Sequence, residues 1–295
     1  MDRSLKDAIR RSRRLLQNPY AHLNGEGGYD AMLPGIPTAV HGEEVLRKPV
    51  IIPPSNLLNG RVKGKRFSKK ELEDIARKLQ VEMWLRRQEI WLGQGEIKPL
   101  DILDPVLALK AIGYSVEVCE SLGQYRGQSE NFEVAGILDN DSSRVQISRR
   151  FSRETCNFTT AHELGHAILH EASGLHRDRA LDGTFARQTR PATEIEADNF
   201  AAYFLLPAKQ VRKVFAQNFL THNFVLNETT AFALSAETLP ALQGKCRTIR
   251  DLTRMLASAE HYNGVRFDSI AKQFGVSNEA MAIRLEELGL IDSPH

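Results

Sequence analysis

The run His162-Glu163-Leu164-Gly165-His166 holds the residues best equipped for chemistry. Residues four apart share one face of an α-helix, so both imidazoles can reach a single ion. Zinc takes nitrogen ligands at about 2.0–2.1 Å in a tetrahedral set, and a hydrolytic site leaves one position for water. Glu163, next to the first histidine, can approach that water without binding the ion. The spacing therefore predicts two ligands and a general base. Zinc would polarise a carbonyl and lower the pKa of the water, while Glu163 would take the water proton and return it to the leaving amine. The surrounding Ala161, Leu164, Gly165, Ala167, Ile168 and Leu169 are apolar or small. A helix of that composition is buried, and buried histidines and carboxylates need partners. A metal supplies them, whereas a solvated surface helix would not explain the apolar company.

A third ligand must come from elsewhere. His170 continues the spacing, but at a helical rise of ~1.5 Å per residue it would lie ~12 Å from His162, too far to share an ion, so it is expected as an outer or surface histidine. The longer three-histidine motif would need Gly at 169 and His at 172, where the chain has Leu169 and Ala172. Glu194, in Thr193-Glu194-Ile195-Glu196-Ala197-Asp198, is the better candidate. Asp198 shares its helix face and could accept a hydrogen bond from a ligand histidine. Glu196 points about 200° away around the helix and is the fallback ligand. Tyr203 and His176 are candidates to stabilise an oxyanion, with nothing in the sequence selecting either.

Positioning these groups falls to the rest of the 295 residues. A hydrophobic content of 42% and a charged content of 26% suit a globular protein with a sizeable core. A net charge of +2 does not demand a nucleic-acid partner. Cys119, Cys156 and Cys246 form no motif and read as small buried thiols, and the N-terminus has no apolar stretch of the secretory kind. No apolar run reaches the ~20 residues that cross a bilayer, so the expected location is cytoplasmic. Residues 1–67 are expected to be a basic, Pro/Gly-rich irregular arm, 68–220 the catalytic domain, and 221–295 a helical C-terminal region. Ser68 and Glu71 form a capping box for a helix reaching about Leu92. A second helix spans Asp104–Ile112, and short strands follow at Tyr114–Cys119, Phe132–Leu138 and Arg144–Ile147, the last two joined by an Asp139-Asn140-Asp141-Ser142 turn. Ser152 caps the helix carrying the histidines, a polar loop runs over 173–190, and the chain is then helical, with a break near Asn263-Gly264.

Phe158-Thr159-Thr160-Ala161-His162-Glu163-Leu164-Gly165-His166, followed by Glu194-Ile195-Glu196-Ala197-Asp198-Asn199-Phe200-Ala201-Ala202-Tyr203-Phe204-Leu205-Leu206-Pro207, resembles the ImmA/IrrE family of metallo-endopeptidases. Asp198 replaces the family's usual Asn. A looser similarity runs from about Ser68 to Ile291. The resemblance implies an α+β zincin-like core with a small sheet, zinc or another divalent metal such as manganese, and a protein substrate. In the best-known branches that substrate is a helix-turn-helix transcriptional repressor, cleaved in stress response or mobile-element induction. Longer relatives add a C-terminal sensor domain, not expected here.

Asp268–Leu288 reads as a helix-turn-helix, but its second helix, Asn278–Glu287, carries three glutamates and one arginine. That is the wrong sign for a phosphate-lined groove, so direct nucleic-acid binding is not favoured. Two readings stand: a metalloprotease acting on a regulatory protein, and a zinc-containing regulatory or DNA- or protein-binding module without turnover. The intact Glu163 favours the first.

Overall fold

The structure is a computed structural model, describing residues 51–58, 60–92, 95–126, 131–171, 175–179 and 191–292. Residues 1–50 of the expected arm and most of the expected loop over 173–190 lie outside the described residues. The fold is mixed α+β, with a small sheet and a helical C-terminal region.

Residues 51–58 and 60–67 are anchored on the body by Ile52, Leu57, Leu58 and Phe67. Ile52, Leu57 and Leu58, around the short helix α1 (Pro54–Leu57), are buried in the main core. Helix α2 (Lys69–Leu85) opens on the expected capping box: the Glu71 amide donates to Ser68 Oγ, and the Ser68 amide to Glu71 Oε2 at 2.8 Å. It buries Leu72, Ile75, Leu79 and Met83 at helical spacing. The expected continuation to Leu92 is broken at Arg86, and a single turn, α3 (Arg87–Ile90), follows. Arg87 donates to the Trp84 carbonyl at 2.8 Å and stacks over the Trp84 ring, satisfying the end of α2 locally. Asp104 caps α4 (Pro105–Ala111) by accepting from the Val106 and Leu107 amides.

The sheet comprises β1 (Ser115–Cys119), β2 (Gln124–Arg126), β3 (Asn131–Asp139) and β4 (Arg144–Ser148). Strand β1 runs parallel to β4, and β3 antiparallel to β4 and β2. The Asp139 carboxylate accepts from the Asp141 and Ser142 amides, making the expected turn. Ser152 then caps α5 (Arg153–Leu169), which is enclosed from Phe158 onward. Strand β5 (Leu175–Arg179), not foreseen in the sequence, pairs antiparallel with β3. Helix α6 (Ala192–Leu205) crosses α5, the most extensive contact among the described elements. Gln80 of α2 donates to the Tyr203 and Phe204 carbonyls at 3.1 and 2.9 Å, satisfying the buried end of α6.

Pro207 precedes α7 (Ala208–Phe219), and the chain continues through β6 (Phe224–Val225), α8 (Glu228–Ser235), α9 (Leu239–Lys245) and α10 (Ile249–Ser258). The expected break at Asn263-Gly264 is a hairpin turn between β7 (His261–Tyr262) and β8 (Val265–Arg266). Both turn residues have positive φ, 49° and 77°, as this tight turn demands. Helices α11 (Ile270–Phe274) and α12 (Asn278–Glu287) flank Gly275, at φ 62°, and β9 (Ile291–Asp292) pairs parallel with β6. Ala280 through Leu285 of α12 are all buried. Its Glu279 accepts from Arg250 at 2.6 Å and from Arg254, and Arg284 donates to the Leu206 carbonyl at 3.0 Å. The helix-turn-helix end is therefore packed into the molecule. No helix among the described residues is long and apolar enough to cross a membrane.

Candidate metal centre

Helix α5 brings His162 and His166 onto one face, and α6 delivers Glu194 opposite them. One donor atom from each lies within 4.8 Å of the others. The two Nε2 atoms are 2.9 Å apart, His162 Nε2 is 3.5 Å from Glu194 Oε2, and His166 Nε2 is 3.3 Å from Glu194 Oε1. A tetrahedral shell with bonds of about 2.0–2.1 Å spaces its donors about 3.3 Å apart, so these three groups fit one zinc-sized ion. Gly165 makes the crossing possible. A Cβ there would stand 3.1 Å from Ala197 Cα and 3.2 Å from its carbonyl oxygen.

The other faces of both rings are engaged. His162 Nδ1 lies 2.9 Å from Asp198 Oδ1. A carboxylate accepts and cannot donate, so Nδ1 carries the proton and the Nε2 lone pair points at the centre. Buried electron-pair donors this close together call for positive charge between them. A divalent metal satisfies all three at once.

Glu196, the fallback ligand, does not join this set. Its carboxylate is 3.1 Å from His170 Nε2 and accepts from the Phe67 amide at 3.1 Å. Nor does His170 follow the expected helical path. The helix ends at Leu169, and His170 is an extended cap residue, φ −113° and ψ 145°. It turns inward, is buried, and sets its Nδ1 2.9 Å from His166 Nδ1. Burial lowers its pKa, against the opposing pull of Glu196.

Glu163 is fully buried beside β3. A Cβ at Gly136 would fall 2.7 Å from Glu163 Oε1 and 2.8 Å from Thr159 Cγ2, so any other residue there would have to displace one or both side chains. The Gly136 and Gly165 contributions carried no periodic signal. A glycine inside a strand marks such a close approach in general terms alone.

Residues 114–239 match the family profile described as Peptidase_M78, IrrE N-terminal-like domain. The chain carries an IrrE N-terminal-like domain. That bears out the ImmA/IrrE resemblance and assigns the segment to a peptidase family. No curated protein gives a significant match.

The IrrE N-terminal-like domain spans the sheet, α5 and α6, hence every group of the centre. Of the two oxyanion candidates, Tyr203 is turned elsewhere: its ring lies under the Arg284 guanidinium, 4.9 Å away. It is nine residues along α6 from Glu194, about 13 Å by helix rise. Burial pushes its hydroxyl up to about 12. The His176 side chain lies outside the described residues.

Proposed function

We propose that this protein is a zinc-dependent endopeptidase whose ion is held by His162, His166 and Glu194, with Glu163 as general base. The convergence of the three donors beside a buried carboxylate carries this reading. A bound zinc ion supplies Lewis acidity to the scissile carbonyl and lowers the pKa of the attacking water. Glu163, held against β3 by the room at Gly136, takes that water's proton and gives it to the departing amine. Asp198 keeps the His162 ring in the orientation its lone pair needs. Manganese is the alternative ion for the same donors.

The substrate we propose is a regulatory protein, by the family resemblance a helix-turn-helix repressor, in a cytoplasmic setting. Burial of α12 and the engagement of Glu279 and Arg284 in internal ion pairs favour protein cleavage over DNA readout, because a recognition helix must offer a free face to the groove. The test is to incubate the metal-loaded protein with a repressor encoded beside it and map any new terminus. Glu163→Gln should bind metal as before and lose cleavage by about 10²–10⁴-fold. Equal cleavage by both proteins would remove the catalytic assignment and favour the reading as a zinc-containing module without turnover.

A further inference from the structure

The two histidines of the centre are oriented by different devices. His162 leans on one carboxylate, Asp198. His166 leans on a chain: His166 Nδ1 to His170 Nδ1 at 2.9 Å, His170 Nε2 to Glu196 Oε2 at 3.1 Å, and Glu196 Oε1 to the Phe67 amide at 3.1 Å. Every link is buried.

Proton bookkeeping along the chain has one solution. Phe67 N–H can only donate, and the Glu196 carboxylate can only accept, so His170 Nε2 must carry a proton. With His166 Nε2 given to the proposed metal, that ring's one proton is on Nδ1, and the 2.9 Å contact has room for no second proton on His170 Nδ1. The proton in the 2.9 Å contact therefore belongs to His166 Nδ1. That leaves the His166 Nε2 lone pair directed at Glu194 and His162, where a metal would sit.

We infer that His170 and Glu196 are positioning residues that fix His166 as an Nε2 donor, and that the Phe67 amide orients the pair from outside the peptidase-family segment. The inference rests on the proposed metal site. Its second consequence is that the strap 61–67 is coupled to the centre. This strap also places the Gly64 amide on the Leu169 carbonyl at 2.9 Å and Lys63 Nζ on the Ala167 carbonyl at 2.6 Å, closing the C-terminal end of α5.

Glu196→Gln tests the chain with almost no change of shape. A carboxamide has one accepting oxygen and one donating nitrogen. With oxygen toward Phe67, its NH₂ faces His170 Nε2 and reverses the chain, driving a proton onto His166 Nε2. With oxygen toward His170, the NH₂ opposes the Phe67 amide. The first arrangement blocks the metal-facing nitrogen with a proton, and the second sets one donor against another. Wild-type protein should take up one equivalent of zinc, and Glu196→Gln should bind it about 10–100-fold more weakly by chelator competition, the usual effect of losing a ligand's orienting partner. Glu196→Asp, which keeps two accepting oxygens, should recover part of the affinity.

A second readout needs no variant. Imidazole ¹⁵N chemical shifts of the metal-free wild type should report His170 as the Nε2–H form and His166 as the Nδ1–H form. Tight zinc binding by wild type with unchanged affinity in Glu196→Gln would overturn this inference and leave the proposed metal site intact. So would a His170 proton on Nδ1. A wild-type protein that binds no zinc would overturn both.

Discussion

Gly165→Ala probes the helix crossing on which the centre depends. The added methyl would sit 3.1 Å from Ala197 Cα, 3.2 Å from the Ala197 carbonyl oxygen and 3.2 Å from Phe200 Cδ1. Carbon atoms rest at about 3.5–4.0 Å, so α5 and α6 must part by about 0.4 Å or more. The nearest obstacles are backbone atoms, and no side-chain rotation relieves them. Ala197 lies three residues beyond Glu194 on the same helix, so the displacement passes to the ligand. Metal sites tolerate distance errors of about 0.2 Å, roughly half of it. Two opposing effects act on the fold: alanine gains about 1 kcal/mol of helix propensity over glycine, while overpacking costs about 1–3 kcal/mol. The metal-free variant should therefore be destabilised by about 0–2 kcal/mol in urea unfolding. Its zinc affinity should fall at least about tenfold, or about 1.4 kcal/mol. A variant more stable by about 1 kcal/mol with wild-type zinc affinity would refute the tight crossing.

Gly136→Ala should leave metal uptake near wild type but reduce cleavage at least about tenfold, because the new Cβ displaces Glu163 and Thr159 rather than the ligands. A normal cleavage rate would show that the Glu163 carboxylate has other room. In the C-terminal region, Glu279→Ala should cost about 1–3 kcal/mol at pH 7 by removing its charged hydrogen bonds with Arg254 and with Arg250, which keeps its pair with Glu286, read by thermal or urea unfolding. Burial alone would raise the Glu279 pKa, but its bonds with Arg254 and Arg250 lower it. Its contribution is therefore complete above the unfolded glutamate value, about 4.3, and vanishes as pH falls through the lower folded value. The wild-type and variant stabilities should converge only in strong acid; a gap constant with pH would contradict the pairing.

Local signals in the sequence were the reliable ones. Ser68 and Ser152 each cap the helix that their side-chain chemistry calls for, and Asp139 makes its turn. The face shared by His162 and His166 and the opposite bearing of Glu194 and Glu196 follow from helix geometry alone. What escaped depends on distant chain. The end of α5 is decided by Gly64 and Lys63 capturing the Leu169 and Ala167 carbonyls, roughly a hundred residues away in sequence, as the chain numbering shows. With α5 ended there, His170 turns inward instead of continuing the helix. Strand β2 has only three residues, too few for alternation to register, and β5, Leu-His-Arg-Asp-Arg, has one apolar residue and so no alternating pattern; both are held by pairing with β3. The Asn263-Gly264 hairpin carries a strong turn dipeptide, but its flanking strands are only two residues each.

X-ray absorption at the zinc edge of the protein loaded with one equivalent of zinc reads the ligand set itself. A nitrogen/oxygen shell at about 2.0–2.1 Å is expected, with outer scattering from two imidazoles, reduced to one in His166→Ala; this is the three-ligand centre. A shell near 2.3 Å from thiolate sulfur, or a wild-type spectrum without imidazole scattering, would contradict it.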